Sequence, residues 1–91
     1  MSHLNANRPK LVARVRRIVG QMTAIEKALD ADAECSEILQ QVAAARGAIN
    51  GLLDEIIEDH LREHVAAAGL DDTTRAAGAA ELMAAIRRYS N

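Results

Sequence analysis

The sequence predicts an all-α chain, a three-helix protomer made of a long antiparallel helical hairpin plus a shorter third helix. Three observations lead there. Hydrophobic residues make up 49% of the 91 positions, yet Tyr89 is the only aromatic and alanine fills much of the class, a composition for close-packed helices. Pro9 is the only proline and glycines number five, which disfavours many short strands joined by tight turns. Apolar residues recur at the helical period over long stretches.

The first helix opens with Asn7 as N-cap and Pro9 where a missing N–H costs least. Leu11, Val15, Ile18, Met22, Ile25 and Leu29 follow at spacings of 4, 3, 4, 3 and 4, an apolar seam on one face. Lys10, Arg14, Arg17 and Gln21 recur on another stripe. The acidic stretch from Asp30 to Glu34 reads as a short connection.

The second helix is expected from Cys35 or Ser36 to about Ala68, with Gly69 as the C′ residue and Leu39, Val42, Ile49, Leu52, Ile56 and Val65 on its apolar face. About 30 residues of helix span about 45 Å. Its middle is built of small residues, among them Gly47, Ala48 and Gly51. Glycine inside a helix costs about 1 kcal/mol against alanine, which points to a close backbone approach there. Asp71 or Asp72 caps the third helix, which runs through Arg88 with Ala79, Leu82, Met83 and Ile86 facing inward.

Residues 1–91 read as a single domain with a thin core. The hairpin alone would leave a long apolar face in water, so a dimer or larger assembly is expected. One cysteine excludes a disulfide framework within the chain. No apolar run approaches the roughly 20 residues of a membrane span, and the opening MSHLNANRPK lacks a signal-peptide core. A soluble, cytoplasmic protein with a reduced thiol is expected.

The net charge of −2 conceals an asymmetry. Residues 1–27 carry six basic side chains against Glu26 alone, a net of +5, and the remaining positions carry five basic against twelve acidic, a net of −7. Lys10, Arg14 and Arg17, with neighbouring Arg16, read either as a solvated face or as a surface for a polyanion. No helix-turn-helix, zinc finger or aromatic stacking platform accompanies them. DNA binding would therefore rest on phosphate contacts, arginine in a groove and DNA shape.

The candidate chemistry lies in His3, Cys35, His60 and His64. His60 and His64, four residues apart on one helix, project from the same face and can share a metal ion. Cys35 lies 25 residues before His60, about 37 Å along a continuous helix, so one chain cannot bring them together. Two such helices packed antiparallel about a two-fold axis would do so, crossing near residues 47–50 and creating two equivalent sites. His3 can approach His60 and His64 of its own chain, because the hairpin returns the start of the first helix beside the end of the second. A thiolate with several imidazoles suits Ni(II), Co(II), Zn(II) or copper, and not magnesium or calcium. The plainer alternative is a cysteine beside solvated histidines in an acidic helix. The string from His60 to His64 also spells H-x-x-E-H, an inverted zinc-peptidase signature, but only 27 residues follow it, too few for a third ligand and a cleft.

RVRRIVGQ (Arg14 to Gln21), ECSEILQQVAAARGAINGLLDEII (Glu34 to Ile57) and DHLREH (Asp59 to His64) resemble the CsoR/RcnR/FrmR family of bacterial transcriptional repressors. The resemblance runs from Lys10 to about Val65, and the third helix matches in pattern only. It implies antiparallel four-helix-bundle dimers assembled as a dimer of dimers. The metal-free homotetramer would repress an operator in double-stranded DNA, a G/C-tract inverted repeat upstream of an efflux or detoxification gene, and effector binding would weaken the complex. The family's DNA surface corresponds to Lys10, Arg14, Arg17 and Arg46. Such a chain is not an enzyme.

Within that family the effector follows the site residues. Copper sensors use a Cys-His-Cys set, but His64 occupies the third position here. Formaldehyde sensors pair the cysteine with an N-terminal proline amine and usually have an acid at the last position; this chain has Ser2 and His64. Persulfide sensors need a second cysteine. Nickel/cobalt sensors carry His, Cys, His, His at the positions of His3, Cys35, His60 and His64, and all four match. The resemblance thus points to Ni(II) or Co(II) as effector, with Zn(II) also compatible. The alternatives are a formaldehyde-responsive repressor using Cys35 and the N-terminal amine, and a metal-buffering protein that never touches DNA.

Overall fold

The structure, a computed structural model, describes residues 7–89. Three helices follow one another: α1 (Arg8–Asp30), α2 (Cys35–His64) and α3 (Asp72–Tyr89). No strand occurs among the described residues, so the all-α class holds. The chain divides into two compact units, Arg8–Leu53 and a second comprising Asn7 with the residues from Asp54 onward.

The unit Arg8–Leu53 is the hairpin of α1 with the first part of α2. α1 ends in a Schellman turn: Ala33 N–H bonds to Ala28 O (2.9 Å) and Asp32 N–H to Leu29 O (3.2 Å). Asp32 takes the left-handed conformation at φ 58°, a place usually given to glycine. Glu34 O then accepts from Glu37 and Ile38 N–H at 3.0 and 3.2 Å and starts α2. Arg14, near the start of α1, lies over Gly51 in α2, as an antiparallel hairpin requires; a Cβ at Gly51 would stand 3.2 Å from its Nη1. The room at Gly51 is thus used by the chain's own arginine. At Gly47 an added Cβ would meet nothing within 4 Å.

The inward stripe differs from the expected seam. On α1 it is Leu11, Arg14, Ile18, Gln21, Ile25 and Ala28; on α2 it is Ile38, Gln41, Ala45, Ala48 and Leu52. Val15, Met22, Leu29, Leu39, Val42 and Ile49, expected to pack, are instead 44–64% exposed. Two neighbouring apolar stripes run along each helix, and one partner helix can cover only one of them. Leu11, Ile25 and Ala45 are the buried hydrophobic residues, and no large side chain is fully buried among the described residues.

In the second unit α2 stops at His64, four residues before the expected Ala68. Val65 and Ala66 N–H fold back on Leu61 O (3.1 and 2.8 Å). The Arg75 guanidinium then gathers the following carbonyls, bonding Val65 O, Ala67 O at 3.3 Å and Leu70 O at 3.2 Å. These bonds replace the helical ladder with a tertiary one. Gly69 has φ 86° but serves the turn beyond the helix rather than its C′ position. Asp71 is the α3 N-cap, its Oδ1 accepting from Thr74 N–H at 2.7 Å. That bond holds the Asp71 carboxyl below its usual range.

α3 meets the end of α2 at Gly78, which is buried. A Cβ there would overlap the His64 carbonyl oxygen and stand 2.8 Å from its carbon and 2.9 Å from the His64 Cβ. Ala79 and Leu82 turn inward as expected. Met83 and Ile86 do not: they are exposed, and Arg75, Gly78 and Ala85 complete the inward stripe instead.

Candidate metal centre and basic face

His60 and His64 occupy the last two turns of α2, and both are half-buried. Their ring centres are 4.8 Å apart and their planes inclined by 39°, so the four-residue spacing brings the imidazoles together. His60 Nε2 lies 3.0 Å from Gly78 O. A carbonyl can only accept, so Nε2 is the donor in this bond. Imidazole metal ligands are usually oriented in this way, by donating the other ring N–H to a carbonyl. The close approach of Gly78 to His64 is what puts that carbonyl in place.

Cys35, the first residue of α2, is exposed and belongs to the other unit. His3 lies outside the described residues. Among the described residues no three or more His, Cys, Asp or Glu side chains cluster to hold an ion. The donor chemistry fits a borderline ion: two adjacent imidazoles, one oriented by a hydrogen bond, can each give a nitrogen at about 2.0–2.1 Å.

Next to the pair sits a group the sequence did not single out. Asp59 is the one buried charged residue among those described, 3% exposed. Its carboxylate accepts from Asn7 Nδ2, at 3.0 Å to Oδ2 and 3.3 Å to Oδ1, and from the Arg62 guanidinium. Arg62 also stands 4.0 Å from Glu58. Nothing in the acidic run EDHLREH distinguishes Asp59 from its solvated neighbours, and Asn7 reads in sequence only as a cap.

The basic residues read as a nucleic-acid surface are on α1 and α2. Lys10, Arg16, Arg17 and Arg46 are exposed, whereas Arg14 is half-buried over Gly51. The first turn of α1 has no acidic residue and contains Arg8 and Lys10. Cations at the positive end of a helix dipole oppose the usual preference by a few tenths of a kcal/mol each and raise the positive potential there. Arg46 falls in register with Leu39, Val42 and Ile49 on the exposed stripe of α2.

A small helical protomer with a cation-rich helix and a pair of oriented imidazoles has the equipment of a ligand-responsive regulator of nucleic acid. Known proteins make the class specific: the chain belongs to the metal-sensitive transcriptional repressor family, whose profile matches residues 7–88. It is 51% identical over 65 residues to the transcriptional repressor RcnR of Escherichia coli strain K12, covering 71% of this chain and 72% of that one. It is 49% identical over 89 residues to an uncharacterized protein in the bioA 5′ region of Serratia marcescens, covering 98% of each. Among solved structures it is similar to the formaldehyde-responsive regulator FrmR of Salmonella enterica serovar Typhimurium, in a glutamate-to-histidine variant. The TM-score is 0.85 and the identity 42%, over 92% of this chain and 94% of that one.

The resemblance read from the sequence is therefore correct. The protein is a transcriptional repressor of a metal-sensitive family, acting on operator DNA, and is not an enzyme. Family membership sets aside the metal-buffering alternative. Among the described residues no helix is long and apolar enough to cross a membrane.

Proposed function

We propose that this repressor responds to Ni(II) or Co(II), holding its operator as a metal-free cytoplasmic homotetramer and releasing it when the ion binds, which derepresses an efflux gene. Cys35 of one protomer supplies the thiolate; His60 and His64 of another supply imidazoles. His3 and the N-terminal amine complete the five or six ligands that Ni(II) and Co(II) favour over tetrahedral Zn(II). The observation that carries this reading is the His60–His64 pair, with its rings 4.8 Å apart and His60 oriented by Gly78 O, in a chain whose thiol stands 25 residues earlier on the same helix. That separation asks for a second copy. The exposed stripe of Val12, Val15, Val19, Met22, Leu39, Val42 and Ile49 offers a surface for one. Covering these half-exposed side chains would contribute on the order of 1 kcal/mol each.

Lys10, Arg14, Arg16, Arg17 and Arg46 would meet operator phosphates, with affinity falling as salt rises. The switch is a two-state change in which DNA and ion favour different states, so each weakens the other by the same factor. The identity to RcnR supports nickel or cobalt.

A Co(II) titration of the reduced, anaerobic protein tests the reading. An intense near-ultraviolet thiolate-to-cobalt band, lost in Cys35→Ala, is expected, together with weak visible bands of a five- or six-coordinate ion. Cys35→Ala should still repress but no longer respond to metal. Absence of the thiolate band would refute the site. A second reading is favoured by the likeness to FrmR and by the exposure of Cys35: a formaldehyde-responsive repressor in which Cys35 is the nucleophile and the N-terminal amine its partner. Release of operator by formaldehyde, and not by Ni(II) or Co(II), would establish it.

A further inference from the structure

We infer that Gly51 is a positioning residue for operator binding, because its missing side chain is the seat that holds the Arg14 guanidinium against α2. This deepens the proposed function and rests on its reading of Arg14 as an operator contact. Glycine inside a helix is less favourable than alanine, and Gly51 lies well inside α2. Its backbone does not ask for glycine: among the described residues Gly69 is the only glycine with a positive φ. The reason lies on α1. A Cβ on Gly51 would stand 3.2 Å from Arg14 Nη1 and, beyond its own helix backbone and chain neighbours, would meet no other described atom within 4 Å. Gly20 and Gly47, the other helical glycines of the same hairpin, have nothing within 4 Å of such a Cβ. The space at Gly51 is therefore fitted to one cation.

Seating matters for an arginine that has to meet a phosphate. A long cationic side chain on an open helix surface loses most of its rotamer freedom when DNA fixes it. Lys10, Arg16 and Arg17 are exposed and face that loss in full. Arg14 is half-buried over Gly51, so part of its ordering is done when the hairpin folds, and the ordering left for DNA binding is smaller. The planar fork of a guanidinium suits a two-point contact with phosphate once it is held in one orientation. Gly51 acts through Arg14 and need not touch DNA itself.

Operator binding followed by fluorescence anisotropy across a salt series tests the inference, on Gly51→Ala and Gly51→Met, each alone and combined with Arg14→Ala. Alanine makes the guanidinium yield by a few tenths of an ångström, and methionine fills the seat. Affinity should fall about twofold for the first and up to about tenfold for the second, the range for ordering one long side chain again on binding. The salt slope should stay that of the unaltered protein, because the cation still reaches its phosphate after losing its seat. Arg14→Ala should instead lower the slope by about one unit. In the Arg14→Ala background neither Gly51 substitution should weaken binding further, since both act through the same side chain. Gly47→Ala, with no neighbour to displace, should bind like the unaltered protein. Unchanged affinity in Gly51→Met, or losses that persist in the Arg14→Ala background, would overturn the seat. If Arg14→Ala itself leaves affinity and slope unchanged, Arg14 is no operator contact and the inference falls with that reading. A loss in Arg14→Ala with none in Gly51→Met removes the seat alone.

Discussion

Gly78→Ala is the most informative single substitution. Alanine in a helix interior ordinarily gains up to about 1 kcal/mol over glycine. At this position the new methyl would overlap the His64 carbonyl oxygen and stand 2.8 Å from its carbon, against ordinary contacts of about 3.5–4.0 Å. The obstructing atoms are backbone, so α3 must move away from the end of α2. Overpacking of this kind costs about 1–3 kcal/mol. The shift would also break the 3.0 Å bond from His60 Nε2 to Gly78 O, a further loss of about 1 kcal/mol. Clash and bond together outweigh the propensity gain, leaving a net loss of about 1–3 kcal/mol. For a chain of this size each kcal/mol moves the unfolding midpoint by about 4–8 °C. Thermal unfolding followed by far-ultraviolet circular dichroism, at matched protein concentration, reads the shift directly. Gly20→Ala is the comparison, since a Cβ there meets nothing within 4 Å, and its midpoint should rise. An unchanged or raised midpoint for Gly78→Ala would refute the packing of α3 on His64.

Other substitutions probe the remaining elements. Asp32→Gly removes the left-handed strain at φ 58° and should stabilise the chain by about 0.5–1 kcal/mol after the added freedom of glycine in the unfolded state, read as a rise in the urea midpoint. Arg75→Met keeps the aliphatic stem but abandons three carbonyls, and should cost about 2 kcal/mol while exposing the amides of residues 65–71 to faster hydrogen exchange. The Asp71 carboxyl is held below its usual range, so its contribution is present above about pH 4 and fades as pH falls through the folded-state value. Asp71→Ala should therefore unfold earlier than the parent at neutral pH and converge with it in acid, whereas Asp71→Asn, which still caps, should track the parent at pH 7. Arg17→Ala should weaken operator binding and flatten its log–log salt slope by about one unit, leaving Co(II) affinity unchanged in calorimetry.

Helix number, order and most boundaries were legible because they rest on local signals: Pro9 at the opening of α1, the acidic connection, the cap at Asp71 and the 3–4 spacing of apolar residues. The end of α2 was not, since the carbonyls that leave the helical ladder are collected by Arg75, ten residues beyond Val65. Which apolar stripe turns inward was also hidden. Leu11, Ile18 and Ile25 belong both to the expected seam and to the observed one, whereas Val15, Met22 and Leu29 fall on the side that α2 does not cover. For the site, four-residue spacing was enough to pair His60 with His64. Gly78, whose carbonyl orients His60, and Asn7, which bonds to the neighbouring Asp59, come from distant stretches of chain. Gly78 reads as a neutral residue among alanines and Asp59 as one acid among several, so only tertiary structure reveals either.

The bond between His60 and Gly78 has a consequence for how the two helices report on each other. The ring belongs to α2 and the carbonyl that orients it to α3. Sliding α3 along the end of α2 would therefore turn the imidazole as well as disturb the close packing of Gly78 on His64. The register of two helices is in this way recorded in the orientation of one side chain.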